Sequence, residues 1–300
     1  MKMMYHNPVL LKKTVDGLGI KLDGVYVDVT FGGGGHSLEI LSRLGSKGKL
    51  FAFDQDKDAL ENKIDDDRFT LINENFRNMK RFLRFYGVKK VDGILADFGV
   101  SSHQFDVAER GFSTRFEADL DMRMNQDDKI SAYHIVNDYE AAQLGQVLKQ
   151  YGELRQAPAM ARDIVEERKN GEIKTSEHLK RTLKRFLNHR KENKVLAQIY
   201  QAIRIEVNQE ITALKEFLLQ TQDVLKKGGR LSVISYHSLE DRLVKRFIRN
   251  GLFEGEPERD VFGNFEVPFK KVGNLIVPSE EEIRENSRAR SAKLRIAEKL

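Results

Sequence analysis

Short apolar runs alternate with amphipathic segments over the N-terminal third of the chain. Four runs rich in β-branched and aromatic residues predict buried strands at residues 25–30, 49–54, 69–73 and 91–97. The segments after the first three runs have the apolar spacing of helices. This βα series predicts an α/β fold with a parallel, doubly wound sheet, which binds its ligands at the carboxyl ends of the strands.

The next convincing strand pattern, residues 230–235, follows the turn at Gly228 and Gly229. The gap before it is several times longer than a crossover helix and its loops require. We therefore expect a helical subdomain, residues 104–212, inserted into a core made of residues 1–103 and 213–300.

Helix signals divide the remaining sequence into further elements. Asp138 is the predicted start of a helix that ends at Gly152, and Pro158 suits the first turn of a second that ends near Gly171. Thr175 or Ser176 caps a third. The later predictions are one continuous helix over residues 194–227, a helix from Ser238, and closing strands at residues 266–272 and 291–299.

Composition is that of a folded protein. The chain has 300 residues, of which 40% are hydrophobic and 32% charged, enough for one large domain or two smaller ones. No apolar window is long enough for a membrane span, and Pro8, Lys12 and Lys13 interrupt the opening segment, unlike a secretory signal. We expect a cytoplasmic protein.

Cysteine is absent from the chain, which excludes disulfides, thiolate zinc sites and thiol nucleophiles.

Positive charge is concentrated in one part of the predicted insertion. The net charge of +5 favours an anionic partner only weakly. In residues 180–194 (KRTLKRFLNHRKENK), hereafter the basic segment, cations crowd together. A phosphate-facing surface and an ordinary solvated helix face both explain this pattern.

A glycine loop follows the first strand. Residues 30–36 (TFGGGGH) place four consecutive glycines between a strand and a helix, where glycine allows close approach to a ligand. The dinucleotide fingerprint requires a third glycine three residues after the second, and Ser37 or Leu38 occupies that place. Nicotinamide dinucleotides are therefore disfavoured.

An S-adenosylmethionine site fits the same region better. Asp28 near the end of the first strand, the glycine loop, and Asp54 closing the second strand supply the methyltransferase pattern, although Thr30 stands where many such enzymes have a glycine. The Asp54 carboxylate can accept from the ribose hydroxyls of an adenosine; a solvated loop aspartate is the alternative. Phe76 either lies against the adenine or belongs to the core.

The fourth strand ends at Asp97, where amino-methylating enzymes carry an acceptor. An exocyclic amine on a base is a poor nucleophile, because its lone pair is delocalised into the ring. A carboxylate that accepts hydrogen bonds from the amine orients that lone pair towards a sulfonium methyl group. Gly99 and Val100 replace the two prolines that usually follow the acceptor. Cytosine C5 methylation of the usual kind is excluded, because it needs a cysteine.

Eight ordered segments carry a specific resemblance. They are residues 6–11 (HNPVLL), 30–37 (TFGGGGHS), 97–106 (DFGVSSHQFD), 109–113 (ERGFS), 120–124 (LDMRM), 201–210 (QAIRIEVNQE), 228–245 (GGRLSVISYHSLEDRLVK) and 287–295 (SRARSAKLR). In this order, over nearly the whole chain, they resemble the bacterial 16S rRNA cytosine-N4 methyltransferases of the H type. The resemblance implies a Rossmann-like class I S-adenosylmethionine-dependent methyltransferase fold with the helical insertion, which would recognise the RNA substrate.

The resemblance also implies a reaction and a set of residues. The reaction is methylation of cytosine 1402 of 16S rRNA in an assembled small subunit or late precursor. The implied cofactor contacts are Gly34, Gly35, His36, Asp54, Phe76, Asp97 and Gln104. Asp97 would thus serve either the methionine end of S-adenosylmethionine or the target amine. We expect no metal. The oligomeric state stays open, with a homodimer as one alternative.

Several residues near the C-terminus keep two interpretations. His237 either hydrogen-bonds the cytosine or a phosphate, as a second catalytic candidate, or is a buried structural histidine. Arg288, Arg290 and Arg295 suit RNA contact or a salt-bridged sheet edge. The chain departs from the resembling family at Lys13 (often Glu), Gln198 (often Arg), Tyr236 (Phe) and Ser287 (Pro).

Two rival functions have recognisable signatures. A DNA amino-methyltransferase would carry the Asp/Asn-Pro-Pro-aromatic motif. An RNA-binding factor that had lost catalysis would show a damaged glycine loop or lack Asp54. Neither signature is present.

Overall fold

The computed structural model describes residues 8–188, 190–260, 262 and 265–300. Its backbone divides into a core unit, Met1–Gly99 with Ile211–Leu300, and an inserted unit, Val100–Glu210. The boundaries expected from the sequence, 103/104 and 212/213, lie within a few residues of these. His6 and Asn7, which begin the first resembling segment, lie outside the described residues. In the part of the chain that is described, no helix is both long and apolar enough to span a membrane.

One mixed sheet organises the core unit. Its strands within the described residues are β1 (Val25–Asp28), β2 (Lys49–Asp54), β3 (Phe69–Asn73), β4 (Val91–Asp97), β5 (Leu225–Ser235), β6 (Phe269–Ile276) and β7 (Lys293–Lys299). The strand order is β3-β2-β1-β4-β5-β7-β6. Strands β1 to β5 pair in parallel, whereas β7 is antiparallel to β5 and β6. The Rossmann-like α/β fold is confirmed, and its switch point lies between the carboxyl ends of β1 and β4.

Three of the seven described strands have the predicted bounds, and four differ. Strands β2, β3 and β4 have the predicted limits, whereas β1 ends at Asp28, β6 is Phe269–Ile276 and β7 begins at Lys293. Strand β5 begins at Leu225, before the predicted turn. Leu225 pairs with Val91 and Arg230 with Gly93, so residues 226–229 bulge out of the ladder, helped by the positive φ of Gly228 (75°).

The α-helices are numbered along the chain. They are α1 (Leu11–Gly17), α2 (Gly35–Arg43), α3 (Met79–Phe85), α4 (Ser102–Asp106), α5 (Ala132–Asp138), α6 (Ala141–Gln150), α7 (Ala157–Glu167), α8 (Ser176–Thr182), α9 (Glu192–Val207), α10 (Glu210–Val224), α11 (Ser238–Asn250) and α12 (Glu280–Glu285). The predicted α-helix after β2 is wrong, because Lys57–Asn62 forms a 3₁₀-helix. Asp56 caps that segment, and the polar run Asp65 to Asp67 offers no apolar face that would extend it.

Apolar side chains cover both faces of the core sheet. One cluster includes Val27, Phe53 and Ile94 from the strands, with Phe217 of α10 and Phe247 of α11. A second cluster joins Tyr26, Leu50 and Leu95 to Ile40 of α2. Burial on both faces explains why the parallel strands appear in the sequence as continuous apolar runs.

The inserted unit has its own helical core. It includes Leu144 of α6, Met160 of α7, and Ile199 and Ile203 of α9. Pro158 lies in the first turn of α7, as predicted, and Gly171 follows the short 3₁₀ turn that ends this segment. The Thr175 side chain caps α8 by accepting from the backbone N–H of His178.

Two helix predictions in this region are wrong. Asp138 ends α5, and the capping box of the next helix belongs to Glu140 and Gln143. The continuous helix over residues 194–227 is instead α9 and α10. Asn208 lies between them, where its side chain accepts from the Met124 N–H at 2.7 Å and donates to the Met122 carbonyl at 2.8 Å, and Gln209 has a φ of 50°. These bonds stabilise a helix end that the apolar pattern does not reveal.

Candidate active site

The glycine loop joins β1 to α2 in conformations that require glycine. Gly32 (φ 49°) and Gly34 (φ 77°) are left-handed, and Gly34 is the N-cap of α2. A Cβ on Gly35 would lie 2.1 Å from Cγ of Pro8. The Pro8 ring thus fills the space that a side chain at position 35 would need, so packing against Pro8 requires glycine there.

Asp54 lies at the end of β2 and contacts this loop. Its carboxylate accepts from the backbone N–H of Gly32 at 2.7 Å and from that of Asp56 at 2.9 Å. A carboxylate has about four acceptor positions, so both oxygens retain capacity for further donors. Burial is the largest cause that raises the pKa of Asp54, to about 6. The structure therefore brings Asp54 and the glycine loop together.

Phe76 is half-buried in an aromatic cluster after β3. Its ring centroid lies 5.7 Å from that of Phe98 and 5.5 Å from that of Phe217. These contacts support the core interpretation of Phe76. Its contact with adenine remains a prediction.

A polar network fixes the end of β1. The fully buried Asp28 accepts from the Ser37 hydroxyl at 2.8 Å and from the backbone N–H of Thr30 at 3.1 Å. The Thr30 hydroxyl in turn accepts from the backbone N–H of Asp97 at 2.7 Å. This last bond gives a reason for threonine where many methyltransferases have glycine, because it joins the glycine loop to the end of β4.

The Asp97 carboxylate is the hydrogen-bond acceptor predicted at the end of β4. One oxygen, Oδ1, accepts from the Tyr236 hydroxyl at 2.8 Å, and the other, Oδ2, lies 3.8 Å from Nδ1 of His36. The side chain is 20% exposed, which leaves it reachable by a ligand. Burial is the largest cause that raises the pKa of Asp97, to about 7, and the charges of Asp28 and Glu240 act in the same direction.

His36 presents a second acceptor beside Asp97. Its Nε2 lies 3.2 Å from the carbonyl oxygen of Val9, which can only accept, so Nε2 carries the proton. Burial lowers the pKa of His36 to about 4, so the ring is neutral near pH 7 and Nδ1 holds a lone pair. Two acceptors thus face each other across 3.8 Å, an arrangement that a cationic or amine donor would satisfy.

His237 has a structural duty in the described contacts. It is the N-cap of α11, and its Nδ1 accepts from the backbone N–H of Glu240 at 3.4 Å. Its Nε2 lies 3.1 Å from Oε1 of the buried Glu240, whose other oxygen accepts from the backbone N–H of Tyr236. These contacts support the structural interpretation of His237. A direct role with cytosine is untested.

Gln104 belongs to the inserted unit. It lies in α4 and is buried, and its Oε1 accepts from the backbone N–H of Ser101, completing the capping box of that helix. Its contact with the cofactor stays a prediction.

The basic segment contains both paired and unpaired cations. Arg185 donates to Asp163 at 2.6 Å, and Lys180 lies 3.1 Å from Glu192. Lys184 and Arg190 are exposed and have no ion-pair partner within the described residues. His189 lies outside them. The charge of the segment is therefore only partly neutralised. The segment also spans the end of α8, a 3₁₀ turn and the start of α9, so the single helix face expected as one alternative is not present in the part of it that the structure describes.

Gln198, which stands where the resembling family often has Arg, and Arg295 both have structural contacts. Gln198 donates to the carbonyl oxygen of Gly152 at 2.9 Å, which fixes a backbone turn in the inserted unit. Arg295 donates to Asp241 at 2.7 Å, so it is salt-bridged, but its strand β7 lies between β5 and β6 and is not the predicted sheet edge. Arg288 and Arg290 lie in the 3₁₀ turn Ser287–Ser291, and Arg290 is exposed.

Sequence reasoning missed Tyr236 as a site residue. It was recognised only as a departure from the resembling family, and its Asp97 partner lies 139 residues away in the sequence. The one available signal was its position directly after β5, at the sheet edge where Asp97 ends β4.

Comparisons with known proteins agree over the whole chain. The family model described as the MraW methylase family matches residues 3–300. Proteins named ribosomal RNA small subunit methyltransferase H are 73% identical over 298 residues in Christiangramia forsetii and 70% identical over 298 residues in Flavobacterium johnsoniae, with 99% of both chains covered in each case. A solved rRNA methylase from Streptococcus thermophilus is 13% identical, covers 96% of this chain and 95% of its own, and has a TM-score of 0.43, too low to bear on the argument.

Proposed function

Because the chain belongs to the MraW methylase family, we propose that it methylates N4 of cytosine 1402 in the 16S RNA of the small ribosomal subunit, with S-adenosylmethionine as the methyl donor. The observation that carries this proposal is the convergence of the glycine loop, Asp54, His36 and Asp97 at one edge of the sheet. Relatives named ribosomal RNA small subunit methyltransferase H are similar to this chain over 99% of its length, which supports the proposal.

The donor groups of S-adenosylmethionine match the acceptors present at this edge. Asp54 keeps acceptor capacity for two ribose hydroxyls while it holds the N–H of Gly32. His36 Nδ1 holds a lone pair that suits the ammonium group, with Asp97 beside it, whereas Oδ2 of Asp97 is assigned to the substrate amine. Gly34 and Gly35 of the glycine loop are the proposed backbone contacts. Phe76 and Gln104 complete the proposed set of contacts.

The chemistry that remains for the protein is positioning. When bound, S-adenosylmethionine supplies a methyl group on a positively charged sulfur, which is already a good leaving group, so we expect no metal requirement. The Asp97 carboxylate accepts a hydrogen bond from cytosine N4, turns the amine lone pair towards the methyl carbon, and can receive the proton that the methylated amine releases. His237, directly after Tyr236, is the second candidate for contact with the cytosine.

The inserted unit is the proposed RNA-recognition part, with residues 104–212 as its expected extent. Exposed cations such as Lys184 and Arg190 supply phosphate contacts, which position an RNA without identifying the base. The reaction takes place in the cytoplasm, where ribosomal subunits are assembled. A homodimer is the proposed alternative to a monomer, and sedimentation of the free protein distinguishes the two.

Transfer of a radiolabelled methyl group tests the proposal and the role of Asp97 together. The wild type should label small subunits. Asp97→Ala should lower single-turnover transfer at saturating cofactor by about 100-fold or more, with a smaller loss of cofactor affinity, because the amine loses its acceptor.

Three results would count against this proposal. Labelling of DNA in preference to small subunits would favour a DNA amino-methyltransferase, and binding of subunits without any label would favour a non-catalytic assembly factor. Wild-type turnover by Asp97→Ala would remove Asp97 from the chemistry and direct attention to His237.

A further inference from the structure

Tyr236 is held at two points beside the carboxylate of Asp97. Its hydroxyl donates to Oδ1 of Asp97 at 2.8 Å, and its backbone N–H donates to Oε2 of Glu240 at 2.9 Å. The ring packs against the apolar cluster that includes Val9 and Ile234. A side chain fixed at its backbone, ring and hydroxyl group can hold its partner in one orientation.

We propose that Tyr236 is a positioning residue of the transfer site: its hydroxyl fixes one oxygen of Asp97 and keeps the other available to the substrate amine. This inference rests on the proposed function, because it assigns Asp97 the role of acceptor for cytosine N4. It deepens that function by naming the group that orients the acceptor.

The geometry supports this role because the two oxygens of Asp97 have different neighbours. Oδ1 is occupied by a donor, whereas Oδ2 faces the lone pair on Nδ1 of His36. Without the Tyr236 hydroxyl the carboxyl group would be free to rotate, and either oxygen could take the position of the acceptor. One fixed hydrogen bond thus distinguishes two otherwise equivalent atoms.

The charges around Asp97 make the same hydrogen bond important for ionisation. Asp28 from β1 and Glu240 from α11 are acidic, His36 from α2 is neutral, and burial disfavours the carboxylate, so the pKa of Asp97 is raised to about 7. The Tyr236 hydroxyl opposes these effects, because a hydrogen bond to the charged form lowers the pKa of Asp97. Its removal should therefore raise the pKa of Asp97 further.

Tyr236→Phe is a suitable variant, because it deletes only the hydroxyl and leaves the residue found in the resembling family. Tyr139→Phe is the matched control, because the Tyr139 hydroxyl donates to Glu206 at the same distance, 2.8 Å, within the inserted unit. Both variants lose one phenol-to-carboxylate hydrogen bond.

The first readout needs no catalysis. Carbon-13 NMR of protein labelled at the aspartate carboxyl groups follows the titration of Asp97, and Asp97→Asn identifies its signal. The midpoint should rise by about one pH unit in Tyr236→Phe and stay in place in Tyr139→Phe. An Asp97 midpoint unchanged by Tyr236→Phe would overturn the proposal.

The second readout is single-turnover methyl transfer as a function of pH at saturating S-adenosylmethionine. The active form is the carboxylate, so the rate should rise with pH through the pKa of Asp97. With the pKa of Asp97 raised by about one unit, Tyr236→Phe should be about fivefold slower than the wild type near pH 7, and its rate should approach the wild-type rate at higher pH. If the transfer rate of Tyr236→Phe were lower than that of the wild type by the same factor at every pH, the role of Tyr236 would be merely structural. If the wild type transfers no methyl group, the proposed function fails, while the NMR titration still decides the role of Tyr236.

Discussion

At the scale of single residues, three carboxyl groups with raised pKa values lie at the carboxyl ends of neighbouring strands. The pKa values of Asp28 and Asp54 are raised to about 6 and that of Asp97 to about 7, in each case chiefly by burial. Desolvated carboxylates without a full set of donors cost free energy. A ligand that brings hydroxyl, ammonium and sulfonium groups to this edge would relieve part of that cost at Asp54 and Asp97, the two of these carboxyl groups that are proposed to contact it, whereas Asp28 is fully buried and holds the Ser37 hydroxyl.

Asp54→Ala tests this account of the cofactor site. The variant should bind S-adenosylmethionine more weakly by about 1 to 3 kcal/mol, because the ribose hydroxyls and the Gly32 N–H lose their acceptor. Calorimetric titration gives the affinity directly. Asp66→Ala is the control, since it also removes one carboxylate, but one paired with Arg68 at 2.6 Å outside the glycine loop. Equal affinities for Asp54→Ala and the wild type would make Asp54 merely structural.

Site residues at the end of a strand can be predicted from the sequence, whereas site features that depend on contacts between distant residues cannot. Asp54 is recognisable because it ends a strand at a predictable place in a known pattern. The acceptor on His36 is not, because it depends on a hydrogen bond to Val9, 27 residues away. Contacts between distant side chains are set by packing, which one sequence does not display.

At the scale of elements, burial decides which predictions succeed. Strands β2, β3 and β4 were predicted with their observed limits, because apolar covering on both faces produces continuous apolar runs with sharp ends. The first residues of the helices were harder to predict than the ends of these strands. Asp138 and Glu140 are both acidic, and only the capping hydrogen bond identifies Glu140 as the start of α6.

The basic segment gives a prediction at this scale. Lys184→Gln combined with Arg190→Gln should weaken small-subunit binding and flatten its salt dependence, because each lost phosphate contact lowers the slope of log K against log salt by about 0.7 to 0.9. The charge-matched control is Lys180→Gln combined with Arg185→Gln, because both of these cations are already paired with carboxylates. If the salt slope of the first variant equals that of the wild type, the segment is an ordinary solvated surface that does not contact phosphate.

At the scale of the whole molecule, the chain is a methyltransferase core with a helical unit inserted after β4. The length of the gap between the fourth and fifth strands was sufficient to predict an insertion, because a single crossover helix could not fill it. No pattern of residues by itself indicated which substrate the protein methylates. The substrate was predicted from the resemblance of eight ordered segments to a known family, and the similarity of the chain to its named relatives supports that prediction.

Mass spectrometry of nucleosides tests the central claim most directly. Small subunits from a strain that lacks this protein would be incubated with S-adenosylmethionine and either the wild type or Asp97→Ala, and the 16S RNA would then be digested. The wild type should convert cytosine 1402 to an N4-methylated form, and Asp97→Ala should leave most of it unmodified after the same time, because its transfer is expected to be about 100-fold slower. N4-methylation elsewhere in the RNA, or an unmodified cytosine 1402 after wild-type treatment, would contradict the account.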